Sequence, residues 1–197
     1  MKTILITGFA PFGGEHINPS WEAVRLLAPQ IGGWQLHKLL LPVVFGCAAE
    51  QVLAEAAALQ PDVILCIGQA GGRDAVTPEK LAVNLRDARI PDNAGNLPVD
   101  EPVVPGGPAA YFSTLPARQM AEAVCAAGLP GRMSCSAGAF VCNDLLYTLL
   151  HRCHGTAVRI GFIHVPYLPQ QAKDGAASLP LEDIVRALTA AIESLPL

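Results

Sequence analysis

The residue types most able to do chemistry crowd into one stretch, SCSAGAFVCNDLLYTLLHRCH, at residues 134–154. It holds three of the six cysteines and two of the five histidines in the chain. Crowding of this kind has three ready explanations: a metal site, a disulfide framework, or a thiol nucleophile served by a base. The spacing of these residues helps to decide among the three explanations.

A metal site is the least favoured explanation, because the stretch contains no CxxC or HxxxH pair of the kind that closed zinc sites show. His151, Cys153 and His154 would point in different directions on one helix. They are better interpreted as the C-terminal turn of that helix, where histidines interact favourably with its dipole. The sequence therefore predicts no bound metal.

Disulfides are also not required. Cys135 and Cys142 straddle a predicted strand-to-helix turn, and a bridge between them is possible but unneeded in a reducing cytosol. The cysteines outside the stretch lie in apolar or alanine-rich surroundings. We expect them to be small buried hydrophobic residues: Cys47, Cys66 and Cys125.

The third explanation is a nucleophile, and Cys142 is the candidate because it follows a Ser-Ala-Gly turn and opens a predicted helix. The positive end of a helix dipole is expected to lower the pKa of such a thiol. His164, in GFIHVPY, lies near the end of a strong predicted strand, and the carboxyl ends of parallel strands share one edge. Glu79 follows a glycine loop at the same edge and could orient the histidine. A Cys-His-acid hydrolase is thus plausible, although a packed cysteine, a core histidine and a surface Glu-Lys pair fit the same residues.

Two glycine loops offer a competing class of function. TGFAPFGG and GQAGGR each follow a predicted strand, as phosphate-binding loops do, but neither is GxGxxG and neither carries the GK[ST] of a P-loop. Phe9 and Phe12 suit an apolar ring better than a dianion. A nucleoside phosphorylase would use loops of this type and is the main alternative, with a non-catalytic binding module as a third possibility.

Strands and helices alternate along the chain and must position these residues. KTILIT, WQLHKLLLPVV, PDVILCIGQAGG, which runs into a glycine loop, and TAVRIGFIHVPYL are apolar strand-like runs. They are separated by helical segments such as NPSWEAVRLLAPQ, in which Asn18 is placed to cap. This order predicts an α/β fold with a mostly parallel sheet between two helical layers, in one domain over residues 1–197. We also predict strands at LAVNL and RMSCS, a long loop at residues 93–108, and Thr114 as a possible helix cap.

Composition narrows the class of protein. The 197 residues are 51% hydrophobic and 15% charged, with a formal net charge of -4. No basic run appears, so nucleic acid is not an expected partner, and no apolar run is long enough for a membrane span. The first residues lack the pattern of a signal peptide, which leads us to expect a cytoplasmic protein.

Five segments in order give a more specific indication: GFAPFGGEHINPSW, GQAGGR, TPEKLAVNLRDARIPDN, SCSAGAFVCNDLLY and GFIHVPYLPQQ. With them the chain resembles the pyroglutamyl peptidase I family of cysteine peptidases over essentially its whole length. The resemblance implies an α/β/α sandwich of the phosphorylase/hydrolase-like type. It also implies removal of an N-terminal pyroglutamyl residue from small peptides through a thioester, without metal or cofactor, by a protein that is often a homotetramer.

The resemblance also implies roles for individual residues. Cys142 matches the family's nucleophile, His164 its histidine and Glu79 its glutamate, while Arg89 matches an arginine near the oxyanion. The ring of the substrate would be held by a pocket in which Phe140 replaces a frequent tyrosine. That pocket comprises Phe9, Phe12, Gln69, Ile90, Phe140 and Val141.

Overall fold

A computed structural model describes residues 2–197 of the chain. The strands are β1 (Lys2–Phe9), β2 (Gln30–Ile31), β3 (Trp34–Leu41), β4 (Val63–Gln69), β5 (Thr77–Pro78), β6 (Leu81–Val83), β7 (Ala110–Phe112) and β8 (Arg159–Val165). The helices are α1 (Pro19–Leu26), α2 (Cys47–Leu59), α3 (Ala117–Ala126), α4 (Val141–Arg152) and α5 (Leu181–Glu193).

Six strands form the main sheet in the order β2-β3-β1-β4-β8-β5. The four long strands, β3, β1, β4 and β8, run parallel, and the two short edge strands, β2 and β5, run antiparallel to their neighbours. Strands β1, β4 and β8 are buried along almost their whole length, which explains their continuous apolar sequences. The predicted mostly parallel sheet is confirmed.

Helices cover both faces of this sheet. Alternate residues of β4 point to opposite faces, so Val63 and Leu65 join the core beneath α1, α3 and α5, whereas Ile64 and Cys66 join the core beneath α2 and α4. Asn18 caps α1 as predicted, since its side chain accepts a hydrogen bond from the Ser20 amide at 3.1 Å. The architecture is the expected three-layer α/β/α sandwich.

The segment between β4 and α4 differs most from expectation. LAVNL does contain a strand, but β6 pairs antiparallel with β7 in a separate two-stranded sheet. RMSCS does not form a strand. Within it Ser134 makes one isolated bridge to Glu79, and the residue before it, Gly131, makes another to Val76. The long loop at residues 93–108 contains no helix or ladder strand.

The prediction that Thr114 caps a helix is wrong. Helix α3 begins after Pro116 and has no side-chain cap. The Thr114 hydroxyl instead accepts a hydrogen bond from the Ile160 amide at 2.6 Å, so it ties this segment to β8.

The expectation for the outlying cysteines holds only for Cys66, which is buried; Cys47 and Cys125 are exposed. Cys47 opens α2, whose alanine-rich sequence does not define a buried face by polarity, and Cys125 lies in the last turn of α3. All six thiols are free.

None of the helices within residues 2–197 is long and apolar enough to cross a membrane.

Candidate active site

Cys142 is the second residue of α4, and it stands directly above the sheet. A Cβ atom added to Gly68 of β4 would lie 2.9 Å from Cys142 Sγ, so the thiol occupies the space that the missing side chain leaves. The first hydrogen bond along the helix runs from the Asp144 amide to the Phe140 carbonyl. The amides of the first helical residues, including Cys142, therefore have no acceptor within the helix.

The two residues after Cys142 fix the start of this helix. Val83 N donates to Asn143 Oδ1, and Asn143 Nδ2 donates to the Val83 carbonyl, both at 2.9 Å. Asp144 Oδ1 accepts a hydrogen bond from Arg86 Nε at 2.6 Å, and Oδ2 accepts one from the Gly46 amide at 2.8 Å. Both side chains are fully buried, so the nucleophile candidate sits on a firmly anchored helix end.

His164 lies on β8, the strand next to β4, and it is on the same face of the sheet as Gly68. It pairs in register with Gly68, since β4 and β8 run parallel. Its Nδ1 donates to Glu79 Oε1 at 2.7 Å, and both side chains are almost completely buried. Glu79 follows β5 and its own amide donates to the Phe162 carbonyl at 2.8 Å. The fold thus brings together the three residues that the sequence singled out.

Arg73 is a fourth member of this group, and the sequence analysis missed it. Its Nη1 donates to Glu79 Oε1 at 2.6 Å and to the Thr77 hydroxyl, while Nη2 donates to the Ser136 carbonyl at 2.8 Å. Glu79 Oε1 therefore receives both His164 and Arg73. Arg73 is the last residue of GQAGGR, which the sequence analysis considered only as a glycine loop. A buried carboxylate usually needs a cation close by, so the prediction that Glu79 is sheltered could have prompted a search for such an arginine.

The charges of these groups set the resting state. Burial on its own would raise the pKa of Glu79, but the hydrogen bond from His164 and the positive charge of Arg73 hold that pKa below its usual range. Burial lowers the pKa of His164, and the opposing effect of Glu79 is smaller. At neutral pH the imidazole is therefore neutral, with Nδ1–H on Glu79 and Nε2 left as an acceptor.

The expected lowering of the thiol pKa is wrong. Burial, with a further contribution from the nearby Glu79 carboxylate, raises the pKa of Cys142 to about 12. A helix dipole typically contributes only about 0.3–1 kcal/mol, whereas loss of hydration can shift a buried group by several pKa units. Cys142 is consequently a neutral thiol at rest, beside a neutral imidazole.

A cavity of about 590 Å³ opens above these groups. Phe12 and Phe140 face each other there with ring centroids 6.0 Å apart, and Arg89 and Ile90 stand at its exposed rim. Glu79 lies behind His164 rather than on the cavity surface. The other nine residues predicted for the site all line the cavity, together with Arg73, Asp87, Tyr167 and several small residues: Phe9, Phe12, Gln69, Arg89, Ile90, Phe140, Val141, Cys142 and His164.

The histidines of the crowded stretch have a different environment. His151 Nδ1 is 2.9 Å from the Tyr111 hydroxyl, and the His154 ring also packs against Tyr111. Within residues 2–197, no three histidine, cysteine or acidic side chains converge as metal ligands would.

A second cavity of about 360 Å³ is lined by neither a cysteine nor a histidine. Its lining residues are Phe45, Arg86, Asn96, Leu97, Pro98 and Glu101.

Comparison with known proteins assigns the family. A sequence model of the family described as pyroglutamyl peptidase matches residues 2–196. The chain belongs to the pyroglutamyl peptidase family. It is 53% identical over 196 residues to the pyrrolidone-carboxylate peptidase of Chromobacterium violaceum and 54% identical over 196 residues to that of Escherichia fergusonii, covering 98% of this chain and 92% of each relative.

Solved structures agree with this assignment. The pyroglutamyl peptidase I of Bacillus amyloliquefaciens superposes with a TM-score of 0.94 at 46% identity, over 98% of this chain and 94% of that one. The pyrrolidone carboxyl peptidase of Thermococcus litoralis gives a TM-score of 0.93 at 35% identity, over 98% and 93%. Membership of the pyroglutamyl peptidase family makes the chain a hydrolase, and it confirms the resemblance and the fold class that the sequence indicated.

Proposed function

We propose that this chain hydrolyses the amide bond that follows an N-terminal pyroglutamyl residue, with Cys142 as nucleophile, His164 as general base and Glu79 as the group that orients the histidine. The observation that carries the proposal is the 2.7 Å hydrogen bond from His164 Nδ1 to Glu79 Oε1. It leaves Nε2 as the free acceptor of a residue that lines the same cavity as Cys142.

The reaction follows from the resting protonation state. Cys142 Sγ attacks the pyroglutamyl carbonyl carbon while its proton passes to His164 Nε2, which avoids a free thiolate in a buried site. The tetrahedral adduct collapses to a thioester, and the imidazolium gives its proton to the departing amine. His164 then takes a proton from water, the hydroxide adds to the thioester, and collapse returns the proton to Sγ and releases pyroglutamate.

Two groups are proposed to stabilise the oxyanion of the tetrahedral adduct. One is the amide of Cys142, which has no acceptor within the helix. The other is the guanidinium of Arg89, which stands at the rim of the cavity. Loss of one such donor typically raises the barrier by about 2.7–4 kcal/mol.

The cavity also supports the proposed substrate class. Pyroglutamate is a small neutral lactam, so its pocket should be apolar and aromatic with a few polar groups that fix the ring. We propose that the aromatic and apolar side chains of the cavity, together with one side-chain amide, bind the lactam ring. The proposed chemistry requires no metal or cofactor. The ring-binding residues are Phe9, Phe12, Gln69, Ile90, Phe140 and Val141.

The expected homotetramer is also a proposal. The long loop at residues 93–108 presents Leu97 and Val99, which are 52% and 67% exposed, and such residues suit a contact between copies of the chain. Light scattering at micromolar concentration should give four times the mass of one chain. A mass of 20.7 kDa, that of the monomer, would contradict this proposal.

The decisive experiment is hydrolysis of a pyroglutamyl-arylamide by the wild type, Cys142→Ala and His164→Ala. Both variants should lose at least about a thousandfold in kcat, because their roles are chemical. Cys142→Ala should keep the wild-type thermal unfolding, whereas His164→Ala removes a buried partner of Glu79 and should unfold cooperatively at a lower temperature. Cys135→Ala, at an exposed thiol, is the matched control and should retain full activity. Activity in Cys142→Ala would contradict the proposal, and phosphate-dependent cleavage of a nucleoside would favour the phosphorylase alternative.

A further inference from the structure

The Gln171 side chain lies at the junction of three segments next to the cavity, and the chemistry described above does not use it. It is buried, with 5% of its surface exposed. Its Oε1 accepts a hydrogen bond from the Leu168 amide at 3.1 Å. Its Nε2 donates to the Ile17 carbonyl at 3.4 Å and to Gln69 Oε1 at 3.1 Å.

This network determines the orientation of both side-chain amides. The Leu168 amide can only donate, so it must face the oxygen of Gln171. The Ile17 carbonyl can only accept, so it must face the nitrogen of Gln171. That nitrogen then requires an acceptor on Gln69, which places Gln69 Oε1 against Gln171. The orientation of Gln69 therefore follows from two backbone groups whose polarity is unambiguous.

The group that remains on Gln69 is its Nε2 donor. Gln69 ends β4 and lines the cavity, and its Nε2 makes no hydrogen bond to any of residues 2–197. Because Gln69 is half-buried and lines the cavity, this donor is the side-chain group that it has left to offer a ligand there.

We infer that Gln171 is a positioning residue for substrate recognition: it holds the Gln69 amide so that the cavity offers an N–H donor to the carbonyl oxygen of a lactam ring. The inference rests on the proposed function. It gives that function a source of specificity, because a prolyl ring has no oxygen at the lactam position. A site built to hydrogen-bond a substrate group discriminates strongly against analogues that lack it.

The test uses Gln171→Met, which keeps the length of the side chain and removes both amide groups. With Gln69 free to rotate, KM for a pyroglutamyl-arylamide should rise about five- to tenfold, as expected for loss of one oriented neutral hydrogen bond, while kcat changes less than about twofold. Gln170→Met is the matched control, since Gln170 is the same residue type one position earlier but exposed. It should leave both constants unchanged.

A second variant, Gln171→Glu, gives a readout that a purely structural role would not. The ionised carboxylate only accepts hydrogen bonds, so Gln69 must turn its nitrogen toward it and present its oxygen to the lactam. KM should rise more than in Gln171→Met and then fall toward the wild-type value as the pH is lowered toward 5. Over that range the introduced carboxyl group protonates and can donate again.

Binding is also measured without turnover, by the protection that 2-pyrrolidone gives Cys142 against alkylation by iodoacetamide. The concentration for half-protection should rise in Gln171→Met by the same factor as KM, while the alkylation rate without 2-pyrrolidone stays at the wild-type value. Unchanged protection would overturn the inference, and so would an altered alkylation rate in the absence of 2-pyrrolidone. Failure of wild-type hydrolysis with normal protection would overturn the proposed function but not this inference.

Discussion

Asn143 pairs with Val83 as one strand pairs with its neighbour. The Val83 amide donates to Asn143 Oδ1, and Asn143 Nδ2 donates to the Val83 carbonyl, each at 2.9 Å. A side-chain amide thus supplies the donor and the acceptor that an adjacent backbone would supply. These two hydrogen bonds fix the residue next to Cys142 to β6. They therefore contribute both to the stability of the fold and to the position of the nucleophile.

The first prediction concerns this pair. Asn143→Ala should reduce the free energy of unfolding by about 2–4 kcal/mol, since the Val83 amide is left without its acceptor and the Val83 and Leu85 carbonyls each lose a donor. Urea unfolding measures the loss. Asn93→Ala is the control, because Asn93 also donates to a backbone carbonyl, that of Pro11, but at an exposed position; we expect less than about 1 kcal/mol there. Equal losses in the two variants would contradict the argument.

The second prediction concerns Arg73, whose charge helps to keep the pKa of His164 low and that of Glu79 low. Arg73→Met should raise the pKa of His164, so the acidic limb of kcat/KM should move to higher pH. Arg73→Lys keeps the positive charge and should shift the limb less, although its single nitrogen cannot reproduce the geometry of all three hydrogen bonds of Arg73. A limb at the same pH in all three proteins would show that Arg73 does not act on the histidine.

The third prediction concerns the thiol. Because the pKa of Cys142 is raised to about 12, its alkylation by iodoacetamide should accelerate continuously from pH 7 to 10. Free cysteine, the reference, should instead level off above its pKa of about 8.5. Hydrolysis should lose activity only at pH values below the ordinary pKa of histidine, about 6.5, because burial lowers the pKa of His164. An alkylation rate that is already constant at pH 7 would indicate a stored thiolate and contradict the neutral resting pair.

The fourth prediction concerns the missing side chain under the nucleophile. In Gly68→Ala the new Cβ would lie 2.6 Å from Phe162 Cζ and 2.9 Å from Cys142 Sγ, so the thiol must move. We expect kcat to fall at least about a hundredfold, since a displacement of 1 Å can cost that much.

Gly161→Ala is the matched control for that variant. Its Cβ would lie 2.7 Å from Leu115 Cδ1, in the core on the opposite face of the sheet. Both variants should lose stability in thermal unfolding, but only Gly68→Ala should lose catalysis out of proportion. Similar kcat values in the two would show that the close approach of Gly68 to Cys142 is unimportant.

Much of the fold was accessible from the sequence, because long buried strands carry continuous apolar runs and most helices carry a strong apolar period. RMSCS failed because it is short and weakly apolar, and its position depends on backbone bridges to β5 rather than on its own pattern. That Cys142 and His164 line one cavity was predictable from a general rule, since parallel strands end at one edge.

The electrostatics of the site were less accessible. The sequence places Cys142 at a helix start but does not show how much of the thiol's hydration the surrounding protein removes, and that loss of hydration has the largest effect on its pKa. Arg73 and Gln171 act through side-chain hydrogen bonds to residues distant in the chain or in other segments. No spacing in the sequence records such contacts.

Four consecutive residues at the start of α4 face four different surroundings, since successive side chains of a helix are about 100° apart. Val141 lines the cavity, Cys142 rests on the sheet, Asn143 bonds to Val83 and Asp144 bonds to Arg86. The helix is therefore prevented from turning about its own axis. A turn of only about 12° would carry an atom ~5 Å from that axis through ~1 Å, and the hydrogen bonds of Asn143 and Asp144 oppose such a turn.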